Sequence, residues 1–417
     1  MKIRIKSARI LDTTSPHHDK IMDCLVEDGV ITQLGEHIAP SDAHDIEQEG
    51  LCVSQGWVDF KSSFNDPGFE YRGDLSFGLD EASCGGYTHV GVLPSDSPVC
   101  DQKTAVEYKC RKAENHAVTL HPIGAISKGM EGTSLAEMYD MYQAGARWFS
   151  DDLLEVNDGL LSRALLYSQS FDGRIIVSLQ SRNITPHFDV NEGIASLKTG
   201  LKGHPFLSET TALYRAIEIA KYTQRPLHVT GISSRHSIPL LEKAYAEKVP
   251  ITCDVNVMNL CFNETETLNF DTRFKVNPVL RTEEDRIALV DALKNNTIHA
   301  VVSDHRSFIL DEKNIEFDHA AFGSPQIKTV FNALLTHTEL SLETLIEVLS
   351  IRNRKVFGIE ERSIGVGQVA DLTLFSPTGS PSPSKSEVQA LVPYSLDELK
   401  GQVIGTIHRN KATFNLP

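Results

Sequence analysis

Hydrophobic and polar positions alternate along the first fifty residues in the pattern of short β-strands. Apolar residues recur at nearly every second position from Ile3 to Ile10, and Cys24–Thr32 holds two apolar runs separated by Asp28-Gly29. An Asp-Gly pair between two such runs favours a two-residue hairpin turn. We therefore predict paired strands with a hairpin at Asp28-Gly29, and we expect the opening segment to be an amphipathic strand rather than a signal peptide.

The pattern changes after Gly56, where short apolar runs alternate with stretches of helical periodicity as far as about Gly358. The predicted strands of this region are Trp57–Phe60, Val90–Leu93, Ala117–Ile123, Trp148–Phe149, Ile175–Leu179, Leu227–Ile232, Ile251–Val255 and Ala300–Val302. Eight strand–helix units over about 300 residues predict an α/β fold, the (β/α)8 TIM barrel.

Helices are predicted between these strands, where apolar residues repeat every three or four positions. One is predicted to start at Ser134, one to cover Thr211–Tyr222 and one to follow Ser237. A fourth is predicted to start at Thr282, because Thr282 and Asp285 have the spacing of a capping box before an apolar run.

After Gly358 the chain returns to strand-like segments, Asp371–Phe375 and Val403–His408, separated by a loop rich in proline and serine at 376–384. We predict that both termini build one small β-sandwich domain, residues 1–54 with 359–417, beside a barrel of residues 55–358.

Composition and charge narrow the functional classes. The net charge of −16 argues against nucleic acid or an anionic membrane surface as a partner, since both require a basic surface. Seven cysteines without a Cys-x-x-Cys pair do not form a disulfide framework, and reduced thiols in the cytoplasm are expected. No apolar run reaches the ~18 residues of a membrane span.

The architecture and several local motifs resemble the dihydroorotases, the cyclic-amide hydrolases of pyrimidine biosynthesis within the amidohydrolase superfamily. The motifs that carry the resemblance are Gly56-Trp57-Val58-Asp59, Asp66-Pro67-Gly68-Phe69-Glu70, Gly85-Gly86-Tyr87-Thr88, Leu93-Pro94-Ser95-Asp96-Ser97-Pro98, Phe149-Ser150-Asp151-Asp152, Leu227-His228-Val229-Thr230-Gly231, Lys275-Val276-Asn277-Pro278, Ser303-Asp304-His305 and Ala370-Asp371-Leu372. Most are weak singly, but their order and spacing cover nearly the whole chain.

The resemblance implies a zinc site at the carboxyl-terminal mouth of the barrel, where zinc activates a water molecule for attack on the ring amide. In this chain the positions that correspond to the zinc ligands are Lys61, Ser63, Asp151, Ser178, Gly231 and Asp304. Asp59 corresponds to the aspartate of the Asp-x-His-x-His motif on the first strand. Lys61, Ser63, Ser178 and Gly231 stand where the family has histidines. Asp304 corresponds to the aspartate that acts as ligand and base.

The positions implied for substrate binding differ from the family as well. Asn65 stands where the family has an arginine for the substrate carboxylate, Ser95 where it has an asparagine, and Phe308 where it has a histidine; only Asn277 matches. Loss of a guanidinium removes the paired charged hydrogen bonds that recognise a carboxylate.

Lys61 suggests what replaces the metal. An ammonium group has no lone pair with which to bind a cation, but it balances buried carboxylates, which are costly when unpaired. We predict that Lys61 Nζ lies within hydrogen-bonding distance of Asp304 or Asp151, with Asp59 also at the mouth. The alternative is that Lys61 reaches solvent along its aliphatic stem.

Other candidate groups have simpler interpretations. His228, His305 and His319 are expected to be core or surface histidines with satisfied hydrogen bonds, although a single-metal site with His228 and Asp304 stays open. Ser62 and Ser63 lack the histidine and aspartate arrangement that activates a nucleophile. Cys253 lies on a predicted strand and is expected to be a small core residue.

The resemblance with a lost ligand set implies a pseudoenzyme that needs no cofactor: a non-catalytic partner of aspartate carbamoyltransferase, cytoplasmic and homo-oligomeric. The alternative is a dihydroorotase-type cyclic amidohydrolase, with zinc in a rebuilt site, that hydrolyses dihydroorotate to N-carbamoyl-aspartate. A third interpretation is a binding module that uses the mouth for another small molecule.

Overall fold

The computed structural model describes residues 1–39, 42–381 and 390–415. The chain begins with five strands: β1 (Lys2–Ile10), β2 (Ile21–Glu27), β3 (Val30–Gly35), β4 (His44–Ile46) and β5 (Cys52–Gln55). β2 and β3 pair antiparallel, with Glu27 opposite Val30. The predicted hairpin is confirmed, because Asp28 and Gly29 both have the positive φ, 48° and 79°, that a two-residue turn of this kind requires.

The next strands form a parallel sheet with the members β6 (Trp57–Ser63), β7 (Tyr87–Val92), β8 (Thr119–Gly124), β9 (Trp148–Phe149), β10 (Arg174–Ser178), β13 (Leu227–Thr230), β14 (Ile251–Asn256), β15 (Ala300–Val302) and β16 (His305–Arg306). Their order in the sheet is β15-β14-β13-β10-β9-β8-β7-β6-β16. The end strands β15 and β16 are separated by only Ser303 and Asp304, so together they make the eighth barrel strand and close the sheet on itself. The predicted strands all have observed counterparts.

Helices surround this sheet: α1 (Leu75–Cys84), α2 (Lys103–Ala113), α3 (Met138–Ala144), α4 (Asp158–Ser168), α5 (Ile194–Thr199), α6 (Phe206–Thr223), α7 (Ile238–Ala246), α8 (Val257–Cys261), α9 (Glu283–Lys294), α10 (Val330–His337), α11 (Leu342–Leu349) and α12 (Ile351–Phe357). Thr282 is the N-cap of α9, and its hydroxyl and the Asp285 side chain form the predicted reciprocal capping box. None of the described helices is long and apolar enough to cross a bilayer.

One insertion was not predicted. The short strands β11 (Val190–Asn191) and β12 (Gly203–His204) pair in parallel beside the barrel and enclose α5. Strands of two residues leave no periodicity in the sequence, so no pattern of alternation marks them.

The chain ends with β17 (Leu372–Ser376), β18 (Gln402–His408) and β19 (Lys411–Phe414). They join the first strands in the order β19-β18-β17-β5-β1-β2-β3, with β4 beside β1. Both termini therefore share one hydrogen-bonded sheet among the described residues, as expected. The sandwich arrangement of this domain stays a prediction. Residues 382–384 of the proline- and serine-rich loop lie outside the described residues.

Two of the buried apolar clusters belong to the barrel strands and to the sheet of the termini. Val58, Phe60, Trp148 and Val302 lie with their neighbours in a core formed by the barrel strands and the end of α12. A separate core belongs to the sheet of the termini. All seven cysteines are free, as the sequence indicated, and burial raises the pKa of Cys253 to about 12, which agrees with a core residue.

Candidate functional site at the barrel mouth

Lys61 lies inside the barrel mouth, near the end of β6, where only 4% of its side chain is exposed. Its Nζ donates a hydrogen bond to Asn256 Oδ1 at 3.2 Å and lies 3.7 Å from Asp304 Oδ1. A Cβ atom placed on Gly231 would lie 3.4 Å from this Nζ. The ammonium group therefore occupies space enclosed by the ends of three strands, next to two of the positions that correspond to metal ligands.

The prediction for Lys61 holds in part. An ion pair with Asp304 is present, but 3.7 Å exceeds a hydrogen bond, and the hydrogen bond is made to Asn256 instead. The alternative of a solvent-directed lysine is wrong, because the side chain is buried.

Asp304 interrupts the eighth strand with a left-handed backbone conformation, φ 48°. Its Oδ2 accepts a hydrogen bond from Asn256 Nδ2 at 3.0 Å, and its Oδ1 accepts one from the Arg306 guanidinium at 3.4 Å. Burial raises the pKa of Asp304, and the nearby charges of Lys61 and Arg306 offset this only partly.

Asp151 and Asp59, two further acids that the sequence predicts at the mouth, are both hydrogen-bonded within the protein. Asp151 accepts hydrogen bonds from the backbone N–H groups of Ile126 and Ser127, at 2.8 and 3.0 Å, and from the Ser127 hydroxyl. Asp59 accepts hydrogen bonds from the Ser303 N–H at 2.7 Å and from the Ser62 hydroxyl, which ties the first strand to the eighth. Both carboxylates already have structural partners.

A different acid, Asp152, faces the site. Its backbone has a φ of 52°. Its carboxylate forms a bidentate ion pair with Arg306, whose guanidinium nitrogens lie 2.9 and 2.6 Å from the two carboxylate oxygens. Burial raises the pKa of Asp152, but Arg306 and Lys61 outweigh burial and hold it below the usual value.

Asp254 is the second acid that the motif comparison missed. It accepts hydrogen bonds from Gly231 N–H at 2.7 Å and from Thr230 Oγ1, and it pairs with His228 Nε2 at 3.0 Å. Burial raises its pKa, but His228 and then Lys61 lower it overall. Asp254 and Asn256 lie two residues apart at the end of β14, so their side chains point to the same side of the sheet. Two polar residues at this spacing at the carboxyl end of a barrel strand are the signal in the sequence that could have identified them.

The remaining predicted ligand positions offer little to a metal. Ser63 is a buried serine whose backbone pairs with Arg306, and Ser178 Oγ is buried with no hydrogen-bond partner among the described residues. Gly231 has no side chain, and its φ of 78° lies in the left-handed region. Neutral hydroxyls are poor zinc ligands compared with imidazole or thiolate.

The positions implied for substrate are likewise altered. Asn65 donates to the Ser307 carbonyl at 3.4 Å, and the Phe308 ring lies under the Arg72 guanidinium at 5.5 Å. Ser95 is buried. The retained Asn277 precedes Pro278, whose Cγ would lie 2.9 Å from a Cβ placed on Gly231. Pro278, the residue after Asn277, therefore packs against the turn at Gly231.

The three singled-out histidines do not gather at a metal site. His228 bonds Thr252 and Asp254, and His305 bonds Ser307 and the Ile327 N–H. Burial lowers the pKa of His305 to about 3, so its ring is neutral. His319 is exposed in the loop after β16. The expectation of core or surface histidines is confirmed for these side chains.

The donor set does not fit a zinc ion. Four of the seven corresponding positions carry an ammonium, two hydroxyls and a glycine; Asp59 and Asp151 are engaged by backbone N–H groups, and Asp304 is paired with cations. A divalent cation beside Lys61 and Arg306 would experience repulsion from both. Zinc-activated water therefore has no set of ligands at this mouth.

Comparisons with known proteins show what this architecture is similar to. Residues 50–237 match the sequence family described as dihydro-orotase-like. A dihydroorotase of Acetivibrio thermocellus is 36% identical over 376 residues, 89% of this chain and 88% of that protein. A dihydroorotase of Syntrophotalea carbinolica is 34% identical over 428 residues and covers 100% of both chains.

Among solved structures, an L-hydantoinase (dihydropyrimidinase) from Arthrobacter aurescens has a TM-score of 0.83 at 22% identity, covering 98% of this chain and 95% of that one. The dihydropyrimidinase of Brevibacillus agri NCHU1002 has a TM-score of 0.80 at 19% identity, covering 99% and 95%. At this identity the likeness concerns the fold.

Proposed function

Because this chain belongs to the dihydroorotase-like family of amidohydrolases while its mouth carries Lys61 among the former ligand positions, we propose that it is a dihydroorotase-like protein of pyrimidine biosynthesis that does not hydrolyse dihydroorotate. The observation that supports this most is the buried ammonium beside Asp304 and Asn256. A fold does not guarantee an activity, which depends on the site.

We further propose that the chain acts in the cytoplasm, as a homo-oligomer, as a non-catalytic partner of aspartate carbamoyltransferase. This role is proposed from the resemblance to the family. Its test is co-migration of the purified chain with aspartate carbamoyltransferase of the same organism in size-exclusion chromatography. Separate elution at micromolar concentrations would contradict the partner role and leave the catalytic question to the assay below.

The second candidate function is dihydroorotase activity through a rebuilt site. It is favoured by the names of the curated relatives, which are dihydroorotases over nearly the full length of this chain. Those names favour the enzyme more strongly than they favour a partner role, whereas the donor set at the mouth favours the proposal above.

The assay that separates the two candidates follows dihydroorotate by its ultraviolet absorbance, with purified protein in the presence of added zinc. The dihydroorotase of Acetivibrio thermocellus serves as the positive control in the same buffer. We expect no turnover above the uncatalysed rate. Turnover that disappears in Asp304→Asn would establish the enzyme, whereas a trace rate equal in both proteins would be a contaminant.

Restoring the family's histidines tests the role of the lost ligands. We expect the triple variant Lys61→His, Ser63→His, Ser178→His to gain zinc at the mouth, because it removes the ammonium and adds imidazoles. A histidine at Gly231 also has to displace the Pro278 ring. If neither the triple variant nor the quadruple variant that adds Gly231→His binds more zinc than the wild type, the backbone, and not only the side chains, differs from a zinc site.

A further inference from the structure

A second group of chemically active side chains lies at the end of the barrel opposite the mouth. His89 on β7 is level with Thr119, the first residue of β8, while Asp371 directly precedes β17 and His408 ends β18. We call His89, Asp371 and His408 the base cluster. It combines one residue of the barrel with two residues of the sheet that the termini form.

The three side chains have the spacing of metal ligands. One donor atom of each lies within 4.8 Å of the donor atoms of the other two. His89 Nε2 is 3.0 Å from Asp371 Oδ2, and His408 Nδ1 is 3.4 Å from Asp371 Oδ1. Two ligands bound tetrahedrally to zinc at about 2.1 Å are roughly 3.4 Å apart. The separation of His408 Nδ1 from Asp371 Oδ1 has this value.

Two of these atoms lack any other partner. His408 Nδ1 and Asp371 Oδ1 are buried and make no hydrogen bond within the described part of the chain, although they face each other. A buried polar atom without a partner is unfavourable, because it loses its hydrogen bonds to water and gains none in the protein. A bound cation would satisfy both atoms at once.

The opposite sides of both rings are already held. His408 Nε2 bonds Thr119 Oγ1 at 2.9 Å, and His89 Nδ1 bonds His121 Nε2 at 3.0 Å. Histidines that bind metals are commonly oriented in this way by a hydrogen bond at the second ring nitrogen. The ring orientations are therefore fixed before an ion arrives.

One neighbouring cation opposes the binding of an ion. The Arg354 guanidinium lies 2.7 Å from Asp371 Oδ2, which leaves Oδ1 to an ion and reduces its affinity.

We propose that the base cluster binds one zinc-class divalent ion through His89 Nε2, Asp371 Oδ1 and His408 Nδ1, with water as the fourth ligand. Two imidazoles and a carboxylate suit zinc or cobalt rather than magnesium or calcium. The ion fastens the sheet of the termini to the base of the barrel. Half-buried His89 gives the ion a path from solvent.

The test uses the full chain, stripped of metal with a chelator and then titrated with zinc chloride or cobalt chloride. We expect one equivalent to bind, tetrahedral cobalt absorption to appear in the visible range, and the Tm to rise by about 2 °C or more at saturating zinc. His408→Gln and His89→Gln should each weaken binding at least about tenfold. The control His116→Gln, whose parent histidine bonds Asp80 on the surface, should bind as the wild type does.

Asp304→Asn separates this site from the mouth. Binding that survives Asp304→Asn and is lost in both base-cluster variants supports the proposal. Absence of zinc and cobalt binding in the wild type, or binding unchanged in folded His408→Gln and His89→Gln, overturns it. Binding lost only in Asp304→Asn would place the ion at the mouth, and would contradict the proposed function as well.

Discussion

Lys61 is a buried cation whose removal leaves carboxylates behind. Deleting one partner of a buried ion pair costs about 3–5 kcal/mol, and we expect the lower end for Lys61→Met because Arg306 stays within 3.4 Å of Asp304. The exposed Lys103→Met is the matched control and should unfold in urea as the wild type does. Equal stability of Lys61→Met and wild type at pH 8 would contradict the role assigned to Lys61.

The same variant has a pH dependence with a defined sign. Burial raises the pKa of Asp304 in the folded state, and loss of Lys61 raises it further. An acid whose folded pKa is raised destabilises the protein above that pKa, and the cost disappears as the carboxyl is protonated. The deficit of Lys61→Met should therefore shrink as the pH is lowered from 8 towards the ordinary pKa of aspartate, about 3.9.

At the scale of the element, the turn after β13 has a left-handed backbone conformation at Gly231, which favours glycine. Gly231 and Gly200 have similar φ values, 78° and 75°, but a Cβ on Gly231 would lie 2.9 Å from Pro278 Cγ, whereas Gly200 has nothing within 4 Å. Alanine at either position should cost about 1–3 kcal/mol for the backbone. Gly231→Ala should cost about 1–3 kcal/mol more for overpacking. Equal urea midpoints for the two variants would contradict this.

Secondary-structure elements could be predicted from the sequence where the apolar periodicity is long or where characteristic turn or capping residues mark their ends. The Asp28-Gly29 hairpin and the capping box at Thr282 follow from local chemistry, and both are observed. The choice between Asp151 and Asp152 was not accessible, because it depends on a backbone turn at Asp152, φ 52°, that adjacent identical residues do not reveal. Asn256 contacts Lys61 across 195 residues, a pairing that only the closed barrel defines.

At the scale of the whole molecule, acid should unfold this chain through its buried neutral histidines. Burial lowers the pKa of His204 and of His305 to about 3, from an ordinary value of 6.5. A base with a depressed folded pKa loses stability as pH falls from the unfolded pKa towards the folded one, up to about 1.4 kcal/mol per pH unit for each histidine. Urea unfolding between pH 6.5 and 4 should show this slope.

The variant His305→Asn should reduce that slope by up to about 1.4 kcal/mol per pH unit, the contribution of one histidine, because asparagine does not titrate. The exposed His319→Asn should leave the slope unchanged. A slope that is the same in all three proteins would contradict the assignment of His305 as a neutral core histidine.

The whole-molecule topology also explains why the fold was predictable and the chemistry of the mouth was not. The order of strands and helices sets the barrel, and the family's motifs mark its carboxyl-terminal edge. Which side chains fill that edge depends on single positions, and here Lys61, Ser63, Ser178 and Gly231 have changed while the scaffold has not.

The most direct test of the central claim is an anomalous difference map at the zinc edge from crystals grown with zinc. The account predicts Lys61 Nζ between Asn256 and Asp304, and no zinc peak within bonding distance of Asp304 or Asp151. A zinc peak at the mouth, with Lys61 turned away from Asp304, would contradict it.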